Sequence, residues 1–181
     1  MKKKYVHPLA LFLLLLTSYL CLEGCSTKGK FIKDPFEDYV SDALFFRTVG
    51  KGEDADMSRA KSKALHNGKV EIARSANSVC QMVILDYLEQ IGKNTDLSLR
   101  EQYISVSTES VSRSLVNVET EEVIYSKDKK GLHTCYAKIK VEKSNVFDTF
   151  AGNMKEKDDL NASILKQAID KVVTTVNKGK P

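Results

Sequence analysis

Residues 45–92 read FFRTVGKGEDADMSRAKSKALHNGKVEIARSANSVCQMVILDYLEQIG, and the beginning of this stretch predicts a strand followed by a tight turn. Residues 44–49 are rich in aromatic and apolar side chains, which favour a strand. Gly50 and Gly52 follow directly, and glycine is typical of the turn that ends a strand. We therefore expect a turn at residues 50–54.

The rest of the stretch predicts one long helix. Small or apolar residues recur at gaps of three and four, which is the spacing of one face of a helix. They are Met57, Ala60, Ala64, Gly68, Ile72, Ala76, Val79, Val83 and Tyr87, with a second row at Ala73, Cys80, Ile84, Leu88 and Ile91. Asp54 or Asp56 can cap the first turn, and Gly92 marks the end of the helix. The small residues of the first half would allow close approach to a sheet.

The remaining elements alternate in a way that predicts an α+β fold. Residues 93–114 fit a short helix, residues 115–125 a strand, and residues 127–131 a hairpin turn. A third strand follows at residues 133–141, and apolar residues between positions 160 and 176 predict a last amphipathic helix. We expect the long helix and the shorter helices to pack on one face of a small, mostly antiparallel sheet.

The strand at residues 133–141 alternates between two faces. His133, Cys135, Ala137, Ile139 and Val141 share one face, and Thr134, Tyr136, Lys138 and Lys140 share the other. Three interpretations of the second row remain open. It is a surface for a partner, it is the solvated side of the sheet, or residues 143–181 cover it.

The N-terminus has the layout of an export signal. Lys2, Lys3 and Lys4 precede an apolar run at residues 9–22. The run has 14 residues, fewer than the ~20 that a helix needs to cross a bilayer core. This pattern favours a signal peptide over an uncleaved anchor.

The residues after the apolar run resemble a bacterial lipobox. Leu22, Glu23 and Gly24 precede Cys25, and Gly24 supplies the small residue that signal peptidases need before the cut. Glu23 departs from the small or apolar residue usual in such sites. The resemblance implies that the Cys25 thiol receives diacylglycerol and that cleavage then exposes its amine for acylation. Ser26 follows Cys25 where an aspartate would favour inner-membrane retention, so we expect the outer membrane.

Processing at Cys25 would divide the chain into four parts. They are the signal peptide at 1–24, the lipidated Cys25 and tether at 25–40, an α+β domain at 41–145, and a linker with a C-terminal amphipathic helix at 146–181. The mature chain would have 157 residues, and the loss of three lysines and Glu23 would lower the net charge from +4 to +2. Lysines and carboxylates alternate throughout, so we expect no nucleic-acid partner.

Several stretches are similar to the twenty-kilodalton outer-membrane lipoprotein family, the "LPP-twenty" lipofamily. The matching residues are Phe46–Gly52, with its Gly-x-Gly turn, the Ala-rich helix start at 56–64, and Asp86–Glu89. A helical link and a hairpin at 115–142 complete the similarity, which covers about residues 44–142. The resemblance implies a compact α+β envelope lipoprotein and a family without a common enzymatic activity.

The chemical motifs have simpler explanations than cofactor binding. Gly50-x-Gly52-x-x-Ala55 has the context of a dinucleotide fingerprint, but the carboxylates of Glu53, Asp54 and Asp56 would repel a pyrophosphate. The sequence favours a tight turn there. His66 and His133 lack the further ligands that a metal site needs, so we expect no metal, no cofactor and no catalytic residues.

Cys80 and Cys135 lie on inward faces of the long helix and of a strand, and two states are open to them. They form a disulfide if their Cα atoms come within about 7 Å, or they are two small buried hydrophobic residues. The pattern favours the second state.

The leading functional hypothesis is a non-enzymatic structural or interaction module, tethered by Cys25 to the outer membrane and facing the periplasm. A partner protein or self-association is expected, because the apolar face of the last helix must be buried. The alternative is a periplasmic accessory lipoprotein that activates or scaffolds a cell-wall or envelope-assembly machine. A lipid- or ligand-binding pocket is a third class that periodicity does not reveal.

Overall fold

The computed structural model describes residues 35–36, 38–156 and 160–178, and it confirms the α+β fold. The elements are β1 Phe45–Asp54, α1 Met57–Gln90, α2 Leu97–Ser114, β2 Glu119–Lys127, β3 His133–Glu142, α3 Lys143–Lys155 and α4 Ala162–Lys178. A single 3₁₀ turn, Leu115–Asn117, occupies the start of the stretch predicted as the second strand. Among the described helices, none is long and apolar enough to cross a membrane.

The sheet has three antiparallel strands in the order β1-β3-β2, so β3 lies in the centre. The hairpin between β2 and β3 forms at the predicted turn. The Asp128 carboxylate accepts hydrogen bonds from the amides of Lys130 and Leu132, and Gly131 has a positive φ of 87°. This turn closes the hairpin because glycine adopts the left-handed conformation without the steric cost of a Cβ.

Residues 50–54 belong to β1 and pair with β3, so the turn predicted there is wrong. Helix α1 packs on the sheet with its main chain almost touching that of β1. A Cβ placed on Gly50 would lie 1.9 Å from the Ala64 carbonyl oxygen, and one on Gly52 would lie 2.2 Å from the Ala60 carbonyl oxygen. On the helix side, a Cβ on Gly68 would lie 2.6 Å from a methyl carbon of Ile139 in β3. The glycines are therefore required by packing, since any side chain would separate the helix from the sheet.

The buried face of α1 winds around the helix axis. One row of buried residues is spaced by four throughout: Ala60, Ala64, Gly68, Ile72, Ala76, Cys80, Ile84 and Leu88. Four residues turn the helix by 400°, so each step rotates the face by about 40°. The first half of α1 consequently faces the sheet, whereas the second half faces other helices.

Helices α2 and α4 cover the second half of α1. The ring of Tyr87 lies edge-on to Tyr103 of α2 at 5.9 Å, and its hydroxyl accepts a hydrogen bond from the amide of Asn161, just before α4. Lys171 of α4 forms an ion pair with Asp86. Helix α1 therefore contacts both α2 and α4, and it is the helix that packs along the sheet.

Helix α3 occupies a segment that the sequence analysis assigned to a linker. Val146, Phe147, Phe150 and Met154 are buried, and Phe147 lies 6.3 Å from the ring of Phe46 in β1. The predicted boundary at residue 145 therefore falls inside a helix that completes the core. The apolar spacing of three and four was present, but the polar residues around it concealed the pattern.

Replacing Gly50 by alanine is expected to lower the free energy of unfolding by about 3 kcal/mol, because the new Cβ would overlap main-chain atoms that cannot rotate away. Gly152→Ala is the matched control. A Cβ at Gly152 meets nothing within 4 Å, and alanine is favoured inside a helix by about 1 kcal/mol. Urea denaturation of both variants measures the two effects. Equal stability of Gly50→Ala and the original chain would contradict the close main-chain contact.

Candidate functional site

The predicted lipidation site lies outside the described residues. Cys25 and the cleavage residues Leu22, Glu23 and Gly24 precede residue 35, so their assignment stays a prediction. The structure does bear on the end of the predicted tether. Phe36 is only 8% exposed, which shows that this part of the 25–40 segment packs on the domain.

Residues 35–36 and 38–44 form a strap across the outer face of the sheet, the face opposite α1. The Lys138 ammonium lies 4.2 Å from the centre of the Phe36 ring and 5.4 Å from that of Tyr39. The Tyr39 hydroxyl donates a 2.6 Å hydrogen bond to the Glu121 carboxylate on β2. The strap is therefore attached to β3 and β2 by cation–π and hydrogen-bond contacts.

A charge network continues beneath the strap. The Lys140 ammonium lies 2.8 Å from Glu121 and 3.5 Å from Glu119, and Lys138 pairs with Glu122 at 2.9 Å. Hydrogen bonds from Lys140 and Tyr39 hold the pKa of the Glu121 carboxyl below its ordinary value. Burial is the main cause that raises the pKa of the Tyr39 phenol, and the hydrogen bond to the Glu121 carboxylate raises it further. The network keeps Glu121 charged and Tyr39 protonated near neutral pH.

The outer face of β3 is thus partly covered, but by a segment that none of the three open interpretations included. Tyr136 is only 7% exposed, while Thr134, Lys138 and Lys140 are half-buried. The described contacts of Lys138 and Lys140 are with the strap and β2, and not with residues 143–181. The sequence signal for this contact was the pair of aromatic residues Phe36 and Tyr39 ahead of the first strand.

A groove runs between α3 and α4. It consists of two cavities of about 600 and 480 Å³ that share Phe147, Asp148, Ile169 and Asp170. The apolar face of α4 is wider than the part of it that neighbouring elements cover, since Ile169 and Val173 are only half-buried. The groove therefore combines an apolar floor with a rim of both charges, where Asp148 and Asp170 stand beside Lys155 and Lys166. This lining suits an apolar segment of a protein better than a highly charged small ligand.

Cys80 and Cys135 are both buried, and both are free thiols. Cys135 of β3 pairs across the sheet with Gly52 of β1, and Gly52 packs against Ala60 of α1. Cys80 lies twenty residues farther along α1 than Ala60, which is about 30 Å at the rise of an α-helix. The fold does not bring the two sulfurs together, because a disulfide needs Cα atoms within about 7 Å. Burial raises the pKa of Cys80 to about 12 and also raises that of Cys135.

The acidic turn between β1 and α1 is occupied by its own residues. Asp56 caps α1 by accepting from the amide of Arg59, and Asp54 accepts from the amide of Asp56. Asp54 also pairs with Lys63 at 2.8 Å. These carboxylates fill the helix N-terminus where a pyrophosphate would bind.

The remaining metal candidates do not converge. Within residues 35–36, 38–156 and 160–178, no group of three His, Cys, Asp or Glu side chains is placed to hold a metal ion. His66 is exposed on α1, and His133 begins β3.

Compared with known proteins, the chain matches no protein-family model, no curated protein sequence and no solved structure. The similarity to the twenty-kilodalton outer-membrane lipoprotein family therefore stays a prediction, carried by the residues quoted for it.

Iodoacetamide at pH 8 is expected to modify neither Cys80 nor Cys135 in the folded chain, because the thiolate is the reactive form and burial suppresses it. After unfolding in urea without any reductant, both cysteines should be alkylated. Peptide mass spectrometry reads each position separately. A cysteine that stays unmodified in urea until a reductant is added would reveal a disulfide.

NMR titration should find the pKa of the Asp54 carboxyl at about 2, below its ordinary value of 3.8, chiefly because of the hydrogen bond from Lys63. The folded-state pKa is lowered, so the stabilisation from Asp54 is complete above pH ~4 and is lost as the pH falls toward 2. Lys63→Met should move the pKa upward. Lys69→Met, on the same helix but away from Asp54, should leave it unchanged, and equal effects of both variants would contradict the pairing.

Proposed function

We propose that this chain is a bacterial envelope lipoprotein whose folded domain is a non-enzymatic interaction module tethered to the outer membrane. The observation that carries the proposal is the N-terminal arrangement of three lysines, a 14-residue apolar run and Gly24-Cys25. The run is too short for a typical membrane-spanning helix, yet it has the length of the apolar region of a signal peptide.

Lipid at Cys25 would hold the domain at the membrane. Each buried CH₂ contributes about 0.8 kcal/mol, so two or three acyl chains give effectively permanent attachment. Pro35, the first described residue, follows Cys25 by ten residues, and ten residues span at most about 35 Å. The module would therefore act close to the membrane, in the periplasm.

The surfaces of the domain support a role in binding proteins. The groove between α3 and α4 has an apolar floor at Phe147 and Ile169, and its rim includes Asp148 and Asp170. Neither rim carboxylate forms an ion pair with another described residue. An apolar floor with charges at its edge is typical of a protein interface.

The alternative role, an accessory that activates or scaffolds an envelope machine, uses the same anchor and the same groove. Crosslinking in intact cells separates the two. One reproducible enzyme partner would favour the accessory role, whereas self-association would favour the structural role. Turnover by the purified lipoprotein would overturn both.

Cys25→Ala is expected to abolish incorporation of radiolabelled palmitate, because the acceptor thiol and the new amino terminus both disappear. Cys21→Ala is the matched control and should keep full labelling. Acyl labelling is the decisive measurement, since an unprocessed precursor can stay in the membrane through residues 9–22. Palmitate on Cys25→Ala, or its loss from Cys21→Ala, would overturn the anchor at Cys25.

A further inference from the structure

The free edge of β1 is already occupied by side chains of the same chain. The Ser41 hydroxyl accepts from the amide of Arg47 at 2.9 Å and donates to its carbonyl at 3.2 Å. Asn67 donates to the carbonyl of Lys51 at 2.8 Å, and Lys63 donates to that of Glu53 at 3.1 Å. The main-chain N–H and C=O groups of residues 47, 51 and 53 point to the same side of β1, because these groups alternate in direction along a strand. This edge is therefore closed to another strand.

The described residues leave the opposite edge of the sheet, formed by β2, open. Among the described residues, no side chain bonds to the main chain of Glu119–Lys127, and β3 is the strand that pairs with it. Tyr125 is 39% exposed, and Val123 and Ile124 are half-buried. An open edge presents a row of unpaired main-chain donors and acceptors, which is a template for one more strand.

We propose that the open edge of β2 binds the same edge of a second copy of this chain, antiparallel and centred on Ile124. The two three-stranded sheets would then form one six-stranded sheet around a two-fold axis. The inference deepens the proposed function, and it rests on it in one respect: lipid anchoring concentrates the copies on one membrane.

The charges of β2 are complementary to themselves in this arrangement. Glu119, Glu121 and Glu122 lie at the start of the strand, where they pair with Lys138 and Lys140 of β3, and Lys127 lies at its end. Antiparallel pairing about Ile124 places Glu121 of one copy, beside the register shift between Thr120 and Glu122, opposite Lys127 of the other. Parallel pairing would place carboxylate against carboxylate, which is destabilising across strands.

The apolar residues of β2 are also self-complementary. Val123 and Tyr125 are paired with Ala137 and Cys135 on the face that packs on α1. Across the two-fold axis, Val123 of one copy would lie opposite Tyr125 of the other. Ile124 would meet its own counterpart on the outer face. Pairs of β-branched and aromatic residues are the ones that stabilise neighbouring strands.

The test uses the full-length lipidated chain in native membranes, with Ile124→Cys and a mild oxidant. Cys80 and Cys135 are buried, so the new thiol is the reactive one. A reducible dimer is expected, at roughly tenfold the yield of Val49→Cys, because a disulfide needs Cα atoms within about 7 Å. Val49 lies in the middle of β1, on the closed edge, and is the matched control.

Three further variants test the register and the contact. Glu122→Cys and Ser126→Cys are equally distant from Ile124, so the two variants should crosslink when coexpressed and give little dimer when expressed alone. Ile124→Lys places like charges at the two-fold axis and should raise the dissociation constant of the dimer by roughly tenfold, or about 1.4 kcal/mol. Circular dichroism and palmitate labelling confirm that each variant folds and is lipidated.

Three results would overturn the pairing: no dimer from Ile124→Cys, equal yields from Ile124→Cys and Val49→Cys, or a disulfide to a different protein. Palmitate labelling distinguishes this failure from failure of the proposed function. Labelling at Cys25 without the dimer leaves the lipoprotein proposal standing. A dimer without labelling leaves the pairing standing and overturns the anchor.

Discussion

The contact between the main chains of β1 and α1 is the constraint on which the rest of the structure depends. Gly50 and Gly52 lie against the carbonyls of Ala64 and Ala60, at distances that leave no room for a side chain on either glycine. The side chains at this contact are the hydrogens of Gly50, Gly52 and Gly68 and the methyl groups of Ala60 and Ala64, so little apolar area is buried there per residue. Stability at the contact comes instead from the many van der Waals interactions that close approach allows. The same approach fixes the distance and angle of α1 over the whole sheet.

Once α1 is fixed at its beginning, the winding of its buried face determines where the other helices pack. The residues of that face change from small ones near the sheet to larger ones such as Ile84, Tyr87 and Leu88 in the second half. Large side chains keep helices farther apart, which suits packing against α2 and α4 and does not suit close contact with a sheet. Tyr87 joins the layers at this point, since its ring meets Tyr103 and its hydroxyl binds the main chain ahead of α4. One helix therefore belongs to two parts of the core.

The sequence predicted the elements whose signals are local and missed the contacts that depend on distant residues. The strand, the long helix, the hairpin and the last helix have clear periodicity, and the helix cap needs only Asp56 and its neighbours. Helix α3 was missed because polar residues dilute its apolar positions. The strap was missed because Phe36 and Tyr39 stand among polar residues typical of a tether, and their partner Lys138 is about a hundred residues away. The separation of Cys80 and Cys135, and the groove between α3 and α4, follow from the tertiary arrangement and have no signature in a single sequence.

The strap and the acidic turn also determine which surfaces stay available to partners. Ser41 closes the beginning of the β1 edge, and Asn67 and Lys63 of α1 close its end. Phe36 and Tyr39 cover part of the outer face of β3. Within the described residues, the edge of β2 and the groove between α3 and α4 are left, and they differ in chemistry. A strand edge binds main chain in a defined register, whereas the groove is lined by apolar side chains with residues of both charges at its rim. Because the two surfaces are formed by different residues, the proposed pairing of copies through β2 would leave the groove free for another protein.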